Sequence, residues 1–335
     1  MEDDEARSWA PEVAPVDAEI GTGHEAPSPL AIPADGWRRI LGRVWRAVID
    51  GQLWISCGCV GFFGFLSLFP LLVIFVLLYG LAFDASQIDT QLEALRPLMP
   101  PGVFDLLAER LARLTEQTSG GLTLGLLASA SVATWTGTRG INAVIDLLNL
   151  SYHEPEARGF LHRLAIAVGA TLAALVGLIV VLLTVAALPV VLAVLPVGSA
   201  VERLTLWGRW PVLALFVFAG LMLLYRRGAN RRPAKWRWLA PGALLSTVLW
   251  LVISFVFSAF VESSDFYGAT FGTLSVAAVL MLWIYYSALA IGVGAILNAE
   301  IELQTRRDST RGPTRPRGER RAVVADRLPP RDEEA

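Results

Sequence analysis

The chain has 335 residues, of which 54% are hydrophobic and only 17% are charged, and its formal net charge is −2. Soluble domains carry about 25% charged residues, so this composition excludes an ordinary soluble globular protein. The two cysteines, Cys57 and Cys59, lie in one apolar stretch. Cysteines two positions apart on a helix point to different sides, which disfavours a disulfide or a metal site there.

Both ends of the chain are polar. Residues 1–35 contain nine acidic residues, five prolines and one arginine, and they lack the apolar core of a cleavable signal peptide. Residues 304–335 are also polar and contain several prolines. Such segments bury too little apolar surface to fold alone. We therefore predict disordered tails over 1–35 and 304–335, on either side of a membrane domain over 36–303.

Residues 36–50 predict an amphipathic helix that is broken by Gly51. Apolar residues recur there at helical spacing, with aromatic anchors at Trp37 and Trp45. The opposite face is basic, which suits a helix lying on an anionic membrane surface, although an ordinary basic flank of a span is an equally compatible interpretation. The arginines assigned to lipid head groups are Arg38, Arg39, Arg43 and Arg46.

Four long runs without any charged residue follow, over 53–83, 164–195, 239–260 and 271–297. A helix needs about 20 apolar residues to cross a hydrocarbon core of about 30 Å. With two less uniform segments added, we predict an all-helical membrane bundle of six transmembrane helices, accompanied by interfacial amphipathic helices. The predicted spans are 53–83, 121–150, 164–188, 206–225, 239–260 and 272–298.

The loops between these spans alternate in charge. The loop 226–238 holds six basic residues, whereas the loop 261–271 holds two acidic residues and no basic one. By the positive-inside rule, both termini are predicted to be cytoplasmic. The first external loop, 84–120, contains a second amphipathic pattern over 104–116, which predicts a surface helix.

The strongest functional candidate is a polar stripe on the second span. Arg139, Asn142, Asp146 and Asn149 stand at i, i+3, i+7 and i+10, on one side of a helix. Intramembrane charges are costly and usually face a bundle interior or an aqueous cavity. At 1.5 Å per residue, Arg139 lies about 27 Å from the start of this span, so an anchor at the cytoplasmic interface is the alternative.

The last span carries further polar residues toward the same predicted side, namely Tyr285, Asn298 and Glu300. We therefore predict a polar pocket that faces the cytoplasm and is built from the second and sixth spans. Pro70 in the first span predicts a helix kink, either in a moving element or as a static bend. In the basic loop, Arg231 and Arg232 are assigned to lipid head groups.

Several chemistries have no support in the sequence. No carboxylate lies near the middle of a predicted span, which disfavours a proton relay of acidic residues. The three histidines, His24, His153 and His162, lack metal-binding spacing, and no glycine-rich phosphate loop precedes a lysine. We predict no cofactor, no metal site, no catalytic residue and no enzymatic activity.

Short segments along the chain are similar to those of one known family. They are Ser67-Leu-Phe-Pro70, then Arg139-Gly140 with Asn149 and Tyr152, then Tyr225 with Arg231-Arg232-Pro233, and finally Gly294-Ala-Ile-Leu-Asn298-Ala-Glu300. In this order they resemble the YihY/BrkB family of bacterial inner-membrane proteins, once labelled ribonuclease BN. The stretch Gly61-Phe-Phe-Gly64-Phe departs from the family, which has a tyrosine there.

The resemblance covers about residues 36–303 and implies a six-span protein of the inner membrane without a settled activity. Together with the polar stripe and the basic loop, it leads us to expect transport or flipping of an envelope-related amphipathic or anionic substrate. A scaffold or interaction protein that does not transport is the alternative, and a nuclease is disfavoured. We expect membrane lipids as partners, leave a homo-oligomer open and expect no nucleic acid.

Overall fold

Helices make up nearly all the regular structure of the described residues, which in this computed structural model are 23–82, 122–170, 199–263 and 273–327. Side chains are described throughout these ranges except at 69–82, 122–134, 136–137, 199–210, 261–263 and 273–276. Within the described ranges, the regular β structure is one isolated bridge between Ala234 and Thr310. The helices are α1 (Ala34–Ile49), α2 (Gln52–Ala82), α3 (Leu122–Ser151), α4 (described over Phe160–Ala170), α5 (Ser199–Arg227), α6 (Trp236–Ser263), α7 (Thr273–Gln304) and α8 (Val323–Asp326).

The junction between α1 and α2 confirms the predicted break at Gly51. This glycine has a φ of +84°, a backbone conformation that favours glycine, and the two helices meet there at a bend of 60°. The apolar face of α1 buries Ile40 and Val44 against the other helices. Trp45 remains 67% exposed on the opposite side, as expected for a helix that lies on a membrane surface.

Two helices are long and apolar enough to cross a membrane unaided, by length and composition, within the part of the chain that the structure describes. They comprise Trp236–Phe260 of α6 and Ala277–Gln304 of α7, and the bent pair of α1 with residues 52–68 would add a third. The described part of the chain is therefore all-helical and contains two or three candidate membrane spans. The count of six spans stays a prediction, because parts of the other spans lie outside this description.

The helix α7 is the centre of the described bundle and packs against α1, α2, α3, α6 and α8. Small residues allow close contact, as is usual between helices in lipid. A Cβ placed on Gly61 of α2 would lie 3.2 Å from Cβ of Tyr285. A Cβ placed on Gly294 would overlap the Ser246 side chain and the carbonyl oxygen of Gly242, so α6 and α7 pack closely along this stretch.

One end of the bundle is covered by a segment that we call the cap, residues 305–327. The helices α3, α5 and α7 end there and α6 begins there; we refer to it as the capped end. The composition predicts disorder after residue 304, but the cap buries Ser309, Thr310 and Val324. Its order arises from hydrogen bonds: the carboxylate of Asp308 accepts from both polar groups of Thr310 and from the N–H of Arg315.

Residues 23–33 also differ from the predicted disorder. A short 3-10 helix spans Pro29–Ala31, and the carbonyl oxygen of His24 accepts a hydrogen bond from the N–H of Arg306 at 2.7 Å. The hydroxyl of Thr305 donates to the carbonyl oxygen of Ala26 at 3.0 Å. Hydrogen bonds to the backbone of this segment therefore hold it on the cap, together with burial of Ala26 and Ile32 in the apolar core. The rest of both predicted tails lies outside the described residues.

Some predictions fall outside the described residues and are not tested. They concern the surface helix at 104–116, the loop 84–120, and the third span beyond residue 170. Pro70 belongs to the same group: the backbone of α2 is helical through it, but its side chain lies outside the description.

Candidate functional site

The capped end buries an ion pair between the α5–α6 loop and α7. A terminal nitrogen of Arg231 lies 2.6 Å from Oε2 of Glu302, and the two side chains are 3% and 0% exposed. The hydroxyl of Ser309 in the cap donates to the same carboxylate oxygen at 2.6 Å. Two charges removed from water require compensation by close pairing and further hydrogen bonds, which the loop, α7 and the cap supply together.

Tyr152 and Asn298 extend this pair into what we call the buried polar cluster, defined as Tyr152, Arg231, Asn298 and Glu302. The guanidinium of Arg231 lies 4.8 Å from the ring centre of Tyr152, in a cation–π contact. Asn298 accepts a hydrogen bond from the backbone N–H of Gly242 at 2.8 Å. The cluster thus joins α3, the α5–α6 loop, α6 and α7.

Each member of the buried polar cluster keeps one polar atom without a hydrogen bond of standard geometry among the described residues. These atoms are the Tyr152 hydroxyl, Nη1 of Arg231, Nδ2 of Asn298 and Oε1 of Glu302. The hydroxyl of Tyr152 and the side chain of Asn298 are neighbours. Leaving a buried polar atom unpaired costs about 1–3 kcal/mol, so further polar contacts made by these atoms would stabilise the cluster.

The electrostatics of the cluster fix the protonation of two members. Burial, reinforced by the charge of Glu302, raises the pKa of Tyr152, so the phenol stays neutral. Burial by itself would lower the pKa of Arg231, but the charge and hydrogen bond of Glu302 outweigh it and raise that pKa above its ordinary value. The guanidinium therefore stays charged at any physiological pH.

A second polar group joins the end of α3 to the turn before α4. The side chain of Asn149 donates to Oε2 of Glu156 at 2.8 Å and accepts from the N–H of Asn230 at 2.7 Å. Arg158 donates to Glu156 and, at 2.8 Å, to the carbonyl oxygen of Gly228. Burial by itself would raise the pKa of Glu156, but the hydrogen bonds from Arg158 and Asn149 lower it to about 2.

Two members of the predicted stripe bind α4. Arg163 donates to the side-chain oxygen of Asn142 at 2.8 Å and to the carboxylate of Asp146 at 2.6 Å. Asp146 is 57% exposed in this pair. These contacts make Asn142 and Asp146 part of the connection between α3 and α4.

Arg139, the remaining member of the stripe, is directed outward. It is exposed, and its guanidinium lies 5.5 Å from the ring centre of Trp135, which is itself 58% exposed. The predicted stripe therefore divides into three parts: Arg139 on the outer surface, Asn142 and Asp146 against α4, and Asn149 against the α5–α6 loop.

The predicted pocket between the second and sixth spans does not form as one site. Tyr285 and Asn298 are 13 residues apart on α7, or about 20 Å, so they cannot line a single small pocket. Tyr285 belongs to an aromatic group, with ring centres 6.5 Å from Trp54 and 5.2 Å from Tyr286. Only Asn298 joins the buried polar cluster.

Glu300 faces a different neighbour, the interfacial helix α1. Its carboxylate lies 2.5 Å from Nε of Arg43, and Arg43 also donates to Gln304 at 2.9 Å. Both side chains of the Arg43–Glu300 pair are about 10% exposed. The assignment of Arg43 to a lipid head group is therefore corrected: this arginine binds α1 to α7.

The other arginines assigned to lipid head groups divide into those that contact the protein itself and those that are exposed. Arg231 is buried in the polar cluster, so its assignment to a lipid head group is also corrected. Arg232 binds the cap: its backbone N–H donates to the carbonyl oxygen of Arg321 at 2.9 Å, and its guanidinium donates to the carbonyl oxygen of Pro313 at 3.3 Å. Arg38, Arg39 and Arg46 lie on the exposed face of α1, where contact with lipid remains a prediction.

Sequence reasoning missed Glu302, Ser309 and Arg158, and it used Tyr152 only as part of a resemblance. Glu302 had a signal, because it stands four residues after Asn298 and therefore on the same face of the helix. Among the residues that the structure describes, no group of three or more histidine, cysteine, aspartate or glutamate side chains could hold a metal ion.

Comparison with known proteins agrees with the resemblance seen in the sequence. Residues 52–319 match the family described as virulence factor BrkB. A Bacillus subtilis (strain 168) relative named putative ribonuclease-like protein YfkH is 30% identical over 252 residues, covering 72% of this chain and 86% of the relative.

Two further relatives are named as membrane proteins. A UPF0761 membrane protein of Idiomarina loihiensis is 32% identical over 104 residues, which is 31% of this chain and 35% of that protein. One from Stenotrophomonas maltophilia (strain K279a) is 31% identical over 103 residues, which is 28% of this chain and 24% of that protein. No solved structure matches the chain. The chain belongs to the BrkB family of membrane proteins.

Proposed function

We propose that this protein moves an amphipathic, anionic envelope component across the bacterial inner membrane, and that Arg139 contacts the anionic group. The observation that carries the proposal is the position of this exposed arginine along α3. Three helices meet at one level: Gly292 of α7 lies beside Leu53 of α2 and Leu147 of α3. Leu53 is the second residue of α2, directly after the bend from the interfacial helix α1, and Gly292 lies inside the apolar segment Ala277–Gln304, so this level lies at or inside the membrane boundary.

Arg139 lies eight residues before Leu147 on α3, which is about 12 Å further from the capped end. A charge at that depth is costly unless it faces a polar cavity or a binding partner, and it marks a functional site by default. The contact with Trp135 gives the guanidinium an aromatic surface as well. An amphipathic anion matches this pair, because its charged group fits Arg139 and its apolar part fits Trp135.

The proposal includes an orientation with the capped end, and therefore both termini, in the cytoplasm. The loop 226–238 contributes six basic residues to that end. The cap contributes eight arginines against three acidic residues. Basic segments next to spans are retained on the cytoplasmic side, which supports this orientation.

Lipid scrambling in reconstituted vesicles tests the proposal. The full chain is placed in vesicles that carry fluorescent phosphatidylglycerol or phosphatidylcholine, and reduction of the outer-leaflet dye by dithionite reports exchange between leaflets. We expect faster exchange of the anionic lipid than in vesicles without protein. The exchange rate of the anionic lipid should be at least tenfold lower for the Arg139→Ala variant. The Arg38→Ala variant, which removes an exposed arginine of α1, should keep the wild-type rate.

An Arg139→Ala protein that inserts normally and exchanges lipid at the unaltered rate would remove Arg139 from the mechanism. Equal rates with and without wild-type protein would favour the second candidate function, a membrane scaffold or interaction protein. One feature supports that candidate: Asn142 and Asn149, two polar residues of the stripe, are already bound within the chain.

A further inference from the structure

We propose that the capped end carries a binding site for a phosphate group, separate from Arg139 and from the buried polar cluster. The site is a cavity of about 500 Å³ between the end of α5, the start of α6 and the cap. It is lined by Arg226, Arg227, Pro233, Lys235, Trp236 and Arg311. The proposal does not depend on transport.

Among the described residues, the lining of this cavity contains four cationic side chains and no acidic one. Burial lowers the pKa of Arg226, and the positive charges of Arg311 and Arg227 lower it further. Lys235 donates from Nζ to the backbone carbonyl oxygen of Asp308 at 2.7 Å, so no carboxylate neutralises it through that bond. The carboxylate of Asp308 is occupied within the cap by Thr310 and Arg315.

The fold holds these like charges in place. The guanidinium of Arg226 stacks over the ring of Trp236 at 4.0 Å, and its Nη1 is buried without a hydrogen-bond partner among the described residues. Arg311 is attached by its N–H to the carbonyl oxygen of Pro233 at 2.9 Å. A site that orders several cations and one unpaired donor, with no counter-charge in the part of the chain that the structure describes, has the chemistry to bind an anion.

The position of the cavity favours phosphate as the anion. Trp236 is the first residue of the membrane-crossing segment of α6 and is 48% exposed. Tryptophan at the start of a span lies at the level of the lipid head groups, and basic pockets next to spans bind their phosphates. A phosphate group reaches this level either on a phospholipid or as a soluble phosphate compound, and both offer the same oxygen acceptors to the arginines.

Binding to the full chain in detergent distinguishes the two sources. One titration uses dioctanoyl phosphatidylglycerol, and the other uses inorganic phosphate against chloride at matched ionic strength. The test variants are Arg227→Gln and Arg311→Gln, whose side chains are exposed, so the fold should survive both. Arg321→Gln is the matched control, because it removes the same charge from an exposed arginine of the same cap.

We expect each test variant to weaken binding of at least one probe about fivefold, in proportion to the loss of one basic group near a membrane surface. The control should bind as the wild-type protein does. If the test variants bind only phosphatidylglycerol more weakly, the ligand of the site is a lipid head group. If they bind both probes, or only inorganic phosphate, more weakly, the site recognises the phosphate group itself. Equal affinities of the test variants and the control for both probes would overturn the proposal.

Discussion

Glu300 and Glu302 stand two residues apart on α7 and bind arginines on different sides of the helix. Glu300 pairs with Arg43 of α1, and Glu302 pairs with Arg231 of the α5–α6 loop. Two residues correspond to a rotation of about 200° on a helix, which explains the opposite directions. The end of α7 therefore attaches the interfacial helix on one side and the basic loop on the other.

The first prediction concerns the Arg231–Glu302 pair. In the Glu302→Gln variant the Arg231 guanidinium stays buried without its counter-charge, so we expect a loss of about 3–5 kcal/mol in the free energy of unfolding. Denaturant unfolding of the detergent-solubilised protein measures this loss. Glu319→Gln, which alters an exposed acid of the cap, should change it by less than about 0.5 kcal/mol.

A double variant separates the charge from the packing. Replacing both partners, as in Arg231→Met with Glu302→Leu, removes the unpaired charge and should be more stable than Glu302→Gln alone. If the double variant were less stable than Glu302→Gln, the hydrogen bond from Ser309 and the contact of Arg231 with Tyr152 would contribute more to the free energy of unfolding than the unpaired charge costs.

The second prediction concerns the attachment of α1. Glu300→Gln weakens the pair with Arg43, which is about 10% exposed, so α1 should separate more often from α7. Trypsin cleavage after Arg39 or Arg46 should then become faster. Glu25→Gln is the control, because Glu25 and Arg307 form an exposed pair at 3.7 Å and such pairs contribute little. Equal cleavage of the two variants would show that α1 is held by apolar packing and the other hydrogen bonds of Arg43, without a contribution from the charge of Glu300.

The third prediction concerns pH. The pKa of Glu156 is lowered to about 2 from its ordinary 4.5, so its contribution to stability is present above pH 4.5 and is lost as the pH falls toward 2. Thermal unfolding of wild-type protein should show a steeper loss between pH 4.5 and 2 than the Glu156→Gln variant. Parallel curves would mean that Arg158 does not stabilise the ionised carboxylate.

The fourth prediction concerns the contact between α6 and α7. Gly294→Ala introduces a methyl group where Ser246 and the backbone of α6 already lie, and overpacking of this kind costs about 1–3 kcal/mol. Gly220→Ala in α5 meets open space and should stabilise its helix by about 0.5–1 kcal/mol. Melting temperatures of the two variants should therefore shift in opposite directions. A shift in the same direction would contradict the close approach of α6 and α7.

The positions of the helices could be predicted because they depend on local patterns. Runs without charge gave the segments that became α2, α6 and α7, and Gly51 gave the break after α1. The roles of Arg43 and Arg231 could not be predicted in the same way. Their partners lie 257 and 71 residues away, and an arginine on a basic face has the same local pattern whether it meets lipid or a distant glutamate.

The cap shows a similar limit of composition. Its sequence is polar and rich in arginine, which normally indicates disorder. Here the buried Arg320 donates to the carbonyl oxygens of Ala325 and Arg306, so charged side chains form the internal contacts of the segment. Hydropathy counts apolar area and does not register such hydrogen bonds.

The orientation of the capped end tests the account most directly, because the direction of any movement across the membrane depends on it. Cys57 and Cys59 are replaced by serine, Arg321→Cys is introduced on the exposed surface of the cap, and intact cells are treated with a maleimide that cannot cross the inner membrane. We predict no labelling until the membrane is permeabilised. Full labelling of intact cells would place the cap and the basic loop outside and contradict the account.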